Sequence, residues 1–417
     1  MPCGRLRRLP RLRPSLKAMK GANSMQVAAI IAEWNPLHKG HLLPVAAAKA
    51  QGATHIAAIV SGNFVQRGEP ALCPWQYRAT AALQSGVDLV LQLPLPYAVS
   101  TAEHFAGGAV ASLAALGCVD TLVFGSECGD LAALQSIADA LNSADFPAAL
   151  APRLALGLPF AAARQAAVSD LLGEPAALLS SPNNILGIEY LRALKRLDAP
   201  VTALTLPRLG SPHDGSVESE YPSASLLRQR FLSGEEISSL LPPAMAQQLR
   251  LAQEQGALPD CEQWQKALLM RARTMEEQDY LSLPDISEGL EHRLYRASRT
   301  AKTAGELLTA AKTKRYSHAR LRRVLLSALL ELPAGLSAEQ PPYLRVLGFT
   351  ARGAEILARA KATRTLPLSA SLAELAGAGD TAARFARLES RAADLYHTLT
   401  PALAPCGSEY TTAVIKI

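Results

Sequence analysis

The chain has 417 residues, of which 49% are hydrophobic and 19% charged. This length exceeds what one hydrophobic core usually serves, so it predicts two or three domains. A membrane span needs roughly 20 uninterrupted apolar residues, and the closest candidate, Phe105 to Val119, is shorter and contains three glycines. An integral membrane protein is therefore excluded. The six cysteines include no C-x-x-C pair, which is typical of a reduced, cytoplasmic protein without a zinc site.

The positive charge is concentrated at the start of the chain. The formal net charge is +6, and residues 1–24 alone contribute +7, because they contain seven Lys and Arg and no Asp or Glu. Such a segment can be a basic nucleic-acid arm or a transit-like peptide. We favour a disordered leader or an over-extended start upstream of Met25, and we expect a chain beginning at Met25 to keep its activity.

The first strand is predicted at Val27 to Ala32, a continuous apolar run of the kind found in strands buried on both faces of a parallel sheet. Asn35 and Pro36 then suit the cap and the first position of a helix that should run to about Gln51. The positive end of that helix, with its unpaired N–H groups, would favour an anion.

Two histidines fall in the opening turns of this helix. His38 and His41 are three residues apart and would lie on one face, while Gly40 lets a ligand approach the backbone. The pair can also be read as metal ligands or as unrelated surface histidines, but no Cys, Asp or Glu at ligand spacing completes a metal site. The order of strand, turn and helix favours a polyphosphate site.

Further strands alternate with helices up to about residue 258, which predicts an α/β, doubly wound, Rossmann-like parallel sheet for residues 25–258. The predicted strands are His55 to Val60, Val87 to Leu93, Thr121 to Phe124 and Val201 to Leu206. The predicted helices are Trp75 to Ser85, Ala102 to Leu116, helical sequence over 130–169, Pro182 to Leu197 and a Ser-capped helix from Ser223. Polar loops at 61–70 and 210–220 should lie at the carboxyl edge of the sheet, where such sheets bind ligands.

Beyond about Pro259 the strand signals fade and amphipathic, Arg-rich helices follow. We therefore predict a separate helical domain over residues 259–417. The segment 312–323 contains six Lys and Arg residues, with Tyr316 and His318 among them. It is either a solvated helix face or a concentrated positive field that binds phosphates, and Tyr316 suits stacking on an unpaired base.

Seven motifs together resemble those of one family, the bacterial tRNA(Met) cytidine acetate ligases of the nucleotidyltransferase superfamily with the HxGH motif. The motifs are EWNPLHKGH, SGNFVQRGEP, SGVDLVLQLP, FGSE, SPNNILGIEYL, SASLLR and KTKRYSHARLRR. The resemblance covers about residues 27–350. It implies an enzyme that activates acetate with ATP to acetyl-adenylate and transfers the acetyl group to N4 of the wobble cytidine of elongator tRNA(Met).

The resemblance also implies roles for individual residues. Catalysis is expected from His38, His41 and Lys39. ATP is expected to contact Ile31, Ala32, Glu33, Trp34, Asn35, Pro36, Leu37, His38, Lys39, Gly40, His41, Leu42, Leu43, Pro44, Gly125, Asn183, Asn184, Arg208, Leu209, Ser225 and Arg228. The tRNA is expected to contact Lys312, Lys314, Arg315, Tyr316, Arg320, Arg322 and Arg323. Mg²⁺ would bridge the ATP phosphates and be held mostly by phosphate oxygens and water, so no protein metal ligands are assigned.

The sequence departs from the family pattern at a few positions. Trp34 replaces the usual Tyr, and Lys39 replaces the usual Asn. Pro212 stands before His213 and Asp214 where an aromatic residue is usual, which puts the contacts of that loop in doubt. The two histidines and the Asn pair are unaffected.

Two other function classes stay open at this point. One is a nucleotidyltransferase that acts on a small phosphorylated metabolite through the same HKGH site, although such an enzyme needs only the sheet domain. The other is a non-catalytic RNA-binding protein, against which the intact His38, His41 and Arg228 speak. No pattern indicates a protein partner or membrane attachment.

Overall fold

The computed structural model describes residues 25–208, 221–287 and 289–417. The strands within these ranges are β1 (Val27–Ala32), β2 (His55–Ser61), β3 (Phe64–Val65), β4 (Glu69–Pro70), β5 (Leu89–Leu93), β6 (Thr121–Ser126), β7 (Thr202–Pro207), β8 (Leu344–Phe349), β9 (Leu368–Ser369) and β10 (Ile415–Lys416). The first helices are α1 (Leu43–Ala50), α2 (Trp75–Gln84), α3 (Leu95–Ala98), α4 (Ala102–Leu116), α5 (Leu131–Leu141), α6 (Phe146–Ala155), α7 (Phe160–Leu172), α8 (Pro182–Arg196) and α9 (Ala224–Leu232). The later helices are α10 (Pro243–Glu254), α11 (Cys261–Thr274), α12 (Leu290–Thr300), α13 (Ala304–Ala311), α14 (His318–Leu330), α15 (Ala351–Thr363), α16 (Leu372–Ala376) and α17 (Asp380–Thr398).

The predicted parallel sheet is confirmed. Its order is β10-β8-β5-β2-β1-β6-β7, with β9 added beside β8. The strands β1, β2, β5, β6 and β7 are all parallel to one another. The carboxyl ends of β1, β6 and β7 therefore meet at one edge, which is where such sheets bind ligands.

Alternation along the strands explains how the sheet is covered on both faces. Successive side chains of a strand point to opposite faces, and in β1 Val27 and Ala29 belong to one hydrophobic cluster while Ala28 and Ile30 belong to the other. The smaller cluster lies under α2 and α10 and includes Trp75 and Met245. The larger cluster extends from the sheet into the helices of the C-terminal part.

The prediction that residues after about Pro259 form helices only is wrong. β8 pairs antiparallel with β5, and both β9 and β10 pair with β8. Arg345 on β8 is 1% exposed and donates to Gln92 Oε1 at 2.9 Å and to Glu409 Oε1 at 2.5 Å. The sheet is thus completed by the C-terminal part. A mostly apolar run as short as Leu344–Phe349 cannot be assigned to strand or buried helix by periodicity alone.

The start of the first helix also differs from the prediction. The Asn35–Pro36 peptide bond is cis, a 3₁₀ helix covers Lys39–Leu42, and α1 begins only at Leu43. Asn35 does not cap the helix, because its side-chain Oδ1 accepts the backbone N–H of Leu72 at 2.7 Å. The predicted loop 61–70 contains the short hairpin of β3 and β4. In the described ranges no helix has the length and apolarity to cross a membrane.

Candidate active site

The two histidines of the HKGH segment lie against each other. Their ring centroids are 3.7 Å apart with an interplanar angle of 25°. His41 Nδ1 accepts the backbone N–H of His38 at 3.2 Å, so the ring proton of neutral His41 is on Nε2, free to donate to a ligand. Both ring nitrogens of buried His38 lack a hydrogen-bond partner among the described residues, which is costly unless a ligand supplies one.

Burial keeps both rings neutral. Burial, assisted by the positive charge of Arg208, lowers the pKa of His38 to about 4. The pKa of His41 is also well below its usual value, because of burial and of the charges of His38 and Arg208. At neutral pH the two imidazoles are therefore hydrogen-bond donors without a net charge, and a bound polyanion would meet N–H groups in a site with little water.

Gly40 is needed for the position of the His38 ring. A Cβ on Gly40 would lie 2.9 Å from His38 Cε1 and 3.1 Å from His38 Nδ1. These distances are shorter than van der Waals contact, so any side chain there would displace the imidazole. The sequence had suggested that Gly40 makes room for a ligand, and the structure adds that it makes room for the histidine.

The helix α9 supplies a cation to the same turn. Arg228 Nη1 donates to the carbonyl oxygen of Asn35 at 2.7 Å, and Arg228 Nη2 donates to Ser225 Oγ at 3.4 Å. Ser223 caps α9 by accepting the N–H of Leu226 at 3.2 Å, as its sequence predicts. The predicted Ser225 and Arg228 pair is thus adjacent to the segment that follows β1.

A second group of predicted residues meets at the ends of β6 and β7. Arg208 Nη1 donates to Asn183 Oδ1 at 2.7 Å, and a Cβ on Gly125 would lie 3.2 Å from Arg208 Cγ. Asn184 Oδ1 accepts the backbone N–H of Cys128 at 3.1 Å. Since β1, β6 and β7 are neighbours, this group lies at the same edge as the histidines, whose pKa values are lowered by burial and further by the charge of Arg208.

Glu127 was missed as a site residue by the sequence analysis. Its carboxylate accepts the backbone N–H of Asn184 at 2.7 Å and the side-chain amide of Asn183 at 2.6 Å. Burial opposes its ionisation, but these hydrogen bonds hold the pKa of Glu127 below its usual value. Glu127 thus occupies the start of α8, where Ser181 forms no side-chain cap, and it orients the Asn pair.

Arg78 was also missed, although it fixes the shape of the edge. Its side chain is 0% exposed and donates to the carbonyl oxygens of Glu33 at 2.6 Å, of Ser61 at 3.1 Å and of Cys73 at 3.1 Å, and also to that of Gly62. No local sequence pattern distinguishes an arginine with this role from any other arginine within a helix. It binds the ends of β1 and β2 into one rigid surface.

Glu33 connects this edge to the hairpin of β3 and β4. Its Oε1 accepts the backbone N–H of Gln66 at 2.6 Å. Burial raises the pKa of Glu33, while the Gln66 hydrogen bond and the charges of Arg228 and Arg67 act in the opposite direction. The exposed Arg67 therefore lies at the rim of the same edge.

The remaining residues of the predicted ATP segment differ in position and in burial. Ile31 and Ala32 end β1, and Lys39 is exposed. Leu42 ends the 3₁₀ helix, and Leu43 and Pro44 are the first residues of α1. Trp34 and Leu37 are 1% and 0% exposed and belong to the smaller hydrophobic cluster, so their side chains shape the turn from inside. Leu209 and the loop with Pro212 lie outside the described residues.

The basic segment 312–323 contains two kinds of side chain, those that contact other parts of the chain and those that are exposed. Arg322 pairs with Glu69, Arg323 Nε donates to Asp285 Oδ2 at 2.9 Å, and Arg320 Nε donates to the Asp285 carbonyl at 2.9 Å. These three side chains hold α14 against other parts of the chain. Tyr316 is 4% exposed, so the expectation that it stacks on a base is not supported by its position. Lys312, Lys314 and Arg315 are exposed.

Metal ligands are not gathered at this edge. In residues 25–208, 221–287 and 289–417 no group of three or more His, Cys, Asp and Glu side chains is placed to hold a metal ion. The donors that do converge there are imidazole, guanidinium and amide groups, which suit phosphate oxygens. The fold and this edge are those of a nucleotidyltransferase.

Comparisons with known proteins agree with this class. The profile of the HIGH Nucleotidyl Transferase family matches residues 25–409. A Syntrophomonas wolfei protein named tRNA(Met) cytidine acetate ligase is 36% identical over 414 residues, covering 94% of this chain and 99% of its own length. A Syntrophotalea carbinolica protein of the same name is 40% identical over 363 residues, covering 84% and 86%.

Solved structures extend the comparison to the fold. A crystal structure of Thermotoga maritima TmcAL bound with alpha-thio ATP has a TM-score of 0.88 and 28% identity, and the match covers 94% of this chain and 100% of that one. The apo form of the same protein gives a TM-score of 0.90 at 29% identity, with the same coverage. The chain belongs to the tRNA(Met) cytidine acetate ligase family within the HIGH nucleotidyltransferases.

Proposed function

We propose that this protein is an ATP-dependent ligase that forms acetyl-adenylate from acetate and transfers the acetyl group to N4 of the wobble cytidine of elongator tRNA(Met). Its relatives bear the name of that activity over nearly their full length, and a similar structure contains an ATP analogue. The observation that carries the proposal in this chain is the stacked pair of neutral imidazoles at the edge of the sheet, one of which has both ring nitrogens unpartnered among the described residues. ATP and tRNA are cytoplasmic substrates, so we place the enzyme in the cytoplasm.

The reaction has two steps. In the first, an acetate oxygen attacks the α-phosphorus of ATP, and the bond to pyrophosphate breaks. In the second, the N4 amine of the cytidine attacks the acetyl carbon, loses a proton and releases AMP. The first step builds negative charge on the α-phosphate oxygens and on the departing pyrophosphate.

The chain offers donors for this charge at one place. His38 and His41 would donate ring N–H groups to the phosphates, with Arg208 beside them, and Arg228 and Ser225 would face the phosphates from α9. Such fixed donors stabilise developing charge strongly where water is excluded. Asn183 and Asn184, held by Glu127, would contact the nucleotide beside Gly125. Mg²⁺ would accompany the ATP substrate and offset the negative charge of its phosphates.

The tRNA would contact the exposed part of the basic segment. Lys312, Lys314 and Arg315 point outward and suit RNA phosphates. Arg320, Arg322, Arg323 and Tyr316 would instead support that surface through their internal contacts. This division refines the expectation that all seven residues touch the RNA.

One incubation tests the function directly. The protein, ATP, labelled acetate and an elongator tRNA(Met) transcript should yield labelled N4-acetylcytidine after nuclease digestion. A matched transcript with uridine in place of the wobble cytidine should stay unlabelled while pyrophosphate is still released. Labelling of neither transcript, together with transfer of AMP to a phosphorylated metabolite, would establish the alternative class of nucleotidyltransferase.

A further inference from the structure

The tip of the hairpin formed by α6 and α7 exposes large apolar side chains. Leu154 is 41% exposed, Leu156 75%, Leu158 38% and Phe160 58%. Within the described residues, most other exposed large hydrophobic side chains occur singly along the chain, and single ones need no explanation. Four of them within seven residues form an apolar surface that a soluble chain usually covers with a partner.

A basic cavity of about 820 Å³ lies between α12 and the segment that joins α13 to α14. Four of its lining side chains, Arg293, Arg296, Lys314 and Arg315, are Lys or Arg, and the described lining contains no Asp or Glu. None of the four forms an ion pair with a carboxylate in the described ranges. An unneutralised cluster of this kind attracts a polyanion.

Arg315 joins the apolar tip to the basic cavity. Its Nη2 donates to the carbonyl oxygen of Gly157 at 3.0 Å, and Gly157 lies between Leu156 and Leu158 at the turn of the hairpin. Arg293 Nε donates to the carbonyl oxygen of Ala311 at 3.3 Å, which fixes the opposite wall. The tip and the cavity are therefore one continuous surface.

Both parts of this surface connect to the candidate active site. α7 leads through a 3₁₀ helix, Glu174–Ser180, into α8, whose first turn contains Asn183 and Asn184. On the other side, α14 packs against the hairpin of β3 and β4, where a Cβ on Gly68 would lie 2.5 Å from the backbone nitrogen of Arg323. A ligand on this surface is thus bound by elements that also build the nucleotide edge.

We propose that this surface binds a single-stranded segment of the RNA substrate, with phosphates in the cavity at Arg293, Arg296, Lys314 and Arg315 and unpaired bases against Leu156 and Phe160. The inference rests on the proposed function and specifies where its substrate binds. Unpaired nucleotides offer both charged phosphates and apolar base faces, which is the combination that the surface presents. A second copy of the chain is disfavoured, since a two-fold contact here would place like charges together.

The test measures binding of an elongator tRNA(Met) transcript to the full chain over a series of salt concentrations. The tip variant carries Leu156→Ser and Phe160→Ser, and the cavity variant carries Arg296→Glu and Lys314→Glu. Matched controls are Leu403→Ser, at a leucine that is 71% exposed, and Lys361→Glu, at an exposed lysine on α15. Thermal unfolding of each variant verifies the fold.

The two variants should change tRNA affinity and its salt dependence in different ways. The tip variant should weaken tRNA binding about tenfold without changing its salt dependence, because base contacts carry no counterion release. The cavity variant should weaken binding and reduce the slope of log K against log salt by about two units, roughly one for each lost phosphate contact. Phe160→Trp, which keeps an aromatic face, should bind as wild type does.

Other outcomes would overturn the inference. Wild-type tRNA affinity in both variants would show that the RNA binds elsewhere. A wild-type dimer that the tip variant separates, with tRNA affinity unchanged, would show an interface between copies. If the wild-type protein releases pyrophosphate from ATP and acetate but neither binds nor acetylates the transcript, the proposed substrate is wrong, and this result is distinct from a failure confined to the variants.

Discussion

The imidazoles of His38 and His41 stack at 3.7 Å, and the Nδ1 atom of His41 accepts the backbone N–H of His38. This arrangement fixes the tautomer of one ring and leaves the buried nitrogens of the other for a ligand. Two neutral imidazoles thus lie side by side at the nucleotide edge.

Replacing His41 by alanine should abolish most adenylate formation. The lost N–H donor serves charge that develops in the transition state, and removal of one such donor typically costs about 10²–10³ in rate. The measurement is pyrophosphate release with ATP and acetate, alongside tRNA affinity, which should be nearly unchanged. His397→Ala, at a histidine on α17, is the control. A His41 variant that retains more than about a tenth of the wild-type rate would contradict the role.

Gly40→Ala tests the position of the His38 ring without removing it. The new methyl group would lie 2.9 Å from His38 Cε1, so the ring must move away from its place beside His41. Because the backbone of Gly40 is not in the left-handed region, we expect a stability change below about 1 kcal/mol but a clear loss of pyrophosphate release. Gly305→Ala, at a helical glycine where a Cβ would make only an ordinary contact with Thr303 Oγ1 at 3.7 Å, should affect neither. Full activity of Gly40→Ala would show that the ring position is unimportant.

The low pKa of His38 predicts a loss of stability in acid. The unfolded chain binds a proton at this residue near its usual pKa of 6.5, whereas the folded chain does so only near 4. The stability is therefore complete above pH 6.5 and falls as the pH decreases towards 4, by about 2 kcal/mol between pH 7 and pH 5. Urea unfolding at both pH values should show this difference reduced in His38→Gln. Equal pH dependence in the two proteins would mean that His38 titrates normally.

More of the strands of the sheet could be predicted from the sequence than of the long-range contacts that join them to the rest of the chain. The strands β1, β2, β5, β6 and β7 were predicted because continuous apolar runs alternate with helical periods, and HKGH was located because it follows the first strand. Arg78 and Glu127 were not recognised, since their partners are backbone groups that only the folded chain brings near. β8 was missed because its pairing with β5 joins residues more than 250 positions apart, and no local pattern encodes such a contact.

Arg345→Met tests how strongly the buried ion pair on β8 stabilises the sheet that carries the candidate active site. Arg345 and Glu409 are 1% and 3% exposed and form an ion pair, and Glu409 also accepts Trp75 Nε1 at 3.0 Å. Removing the arginine leaves a buried carboxylate without its cation, which should cost about 3–5 kcal/mol in urea unfolding. Adding Glu409→Gln should recover much of that loss. Arg391→Met, at an exposed pair with Glu331, should cost less than about 1 kcal/mol.

Substitutions at the ion pair of Arg322 and Glu69 test whether Arg322 binds RNA directly or stabilises the packing of α14 on the hairpin of β3 and β4. Arg322→Glu would place two carboxylates together at the hairpin of β3 and β4, whose Gln66 N–H binds Glu33 at the nucleotide edge. We expect a loss of about 1 kcal/mol in stability, slower pyrophosphate release and weaker tRNA binding as an indirect effect. The swapped variant, Arg322→Glu with Glu69→Arg, restores the pair and should recover all three quantities. Lys312→Glu, at an exposed lysine in the same segment, should weaken tRNA binding alone. If the swapped variant regains stability but not tRNA affinity, Arg322 contacts the RNA directly.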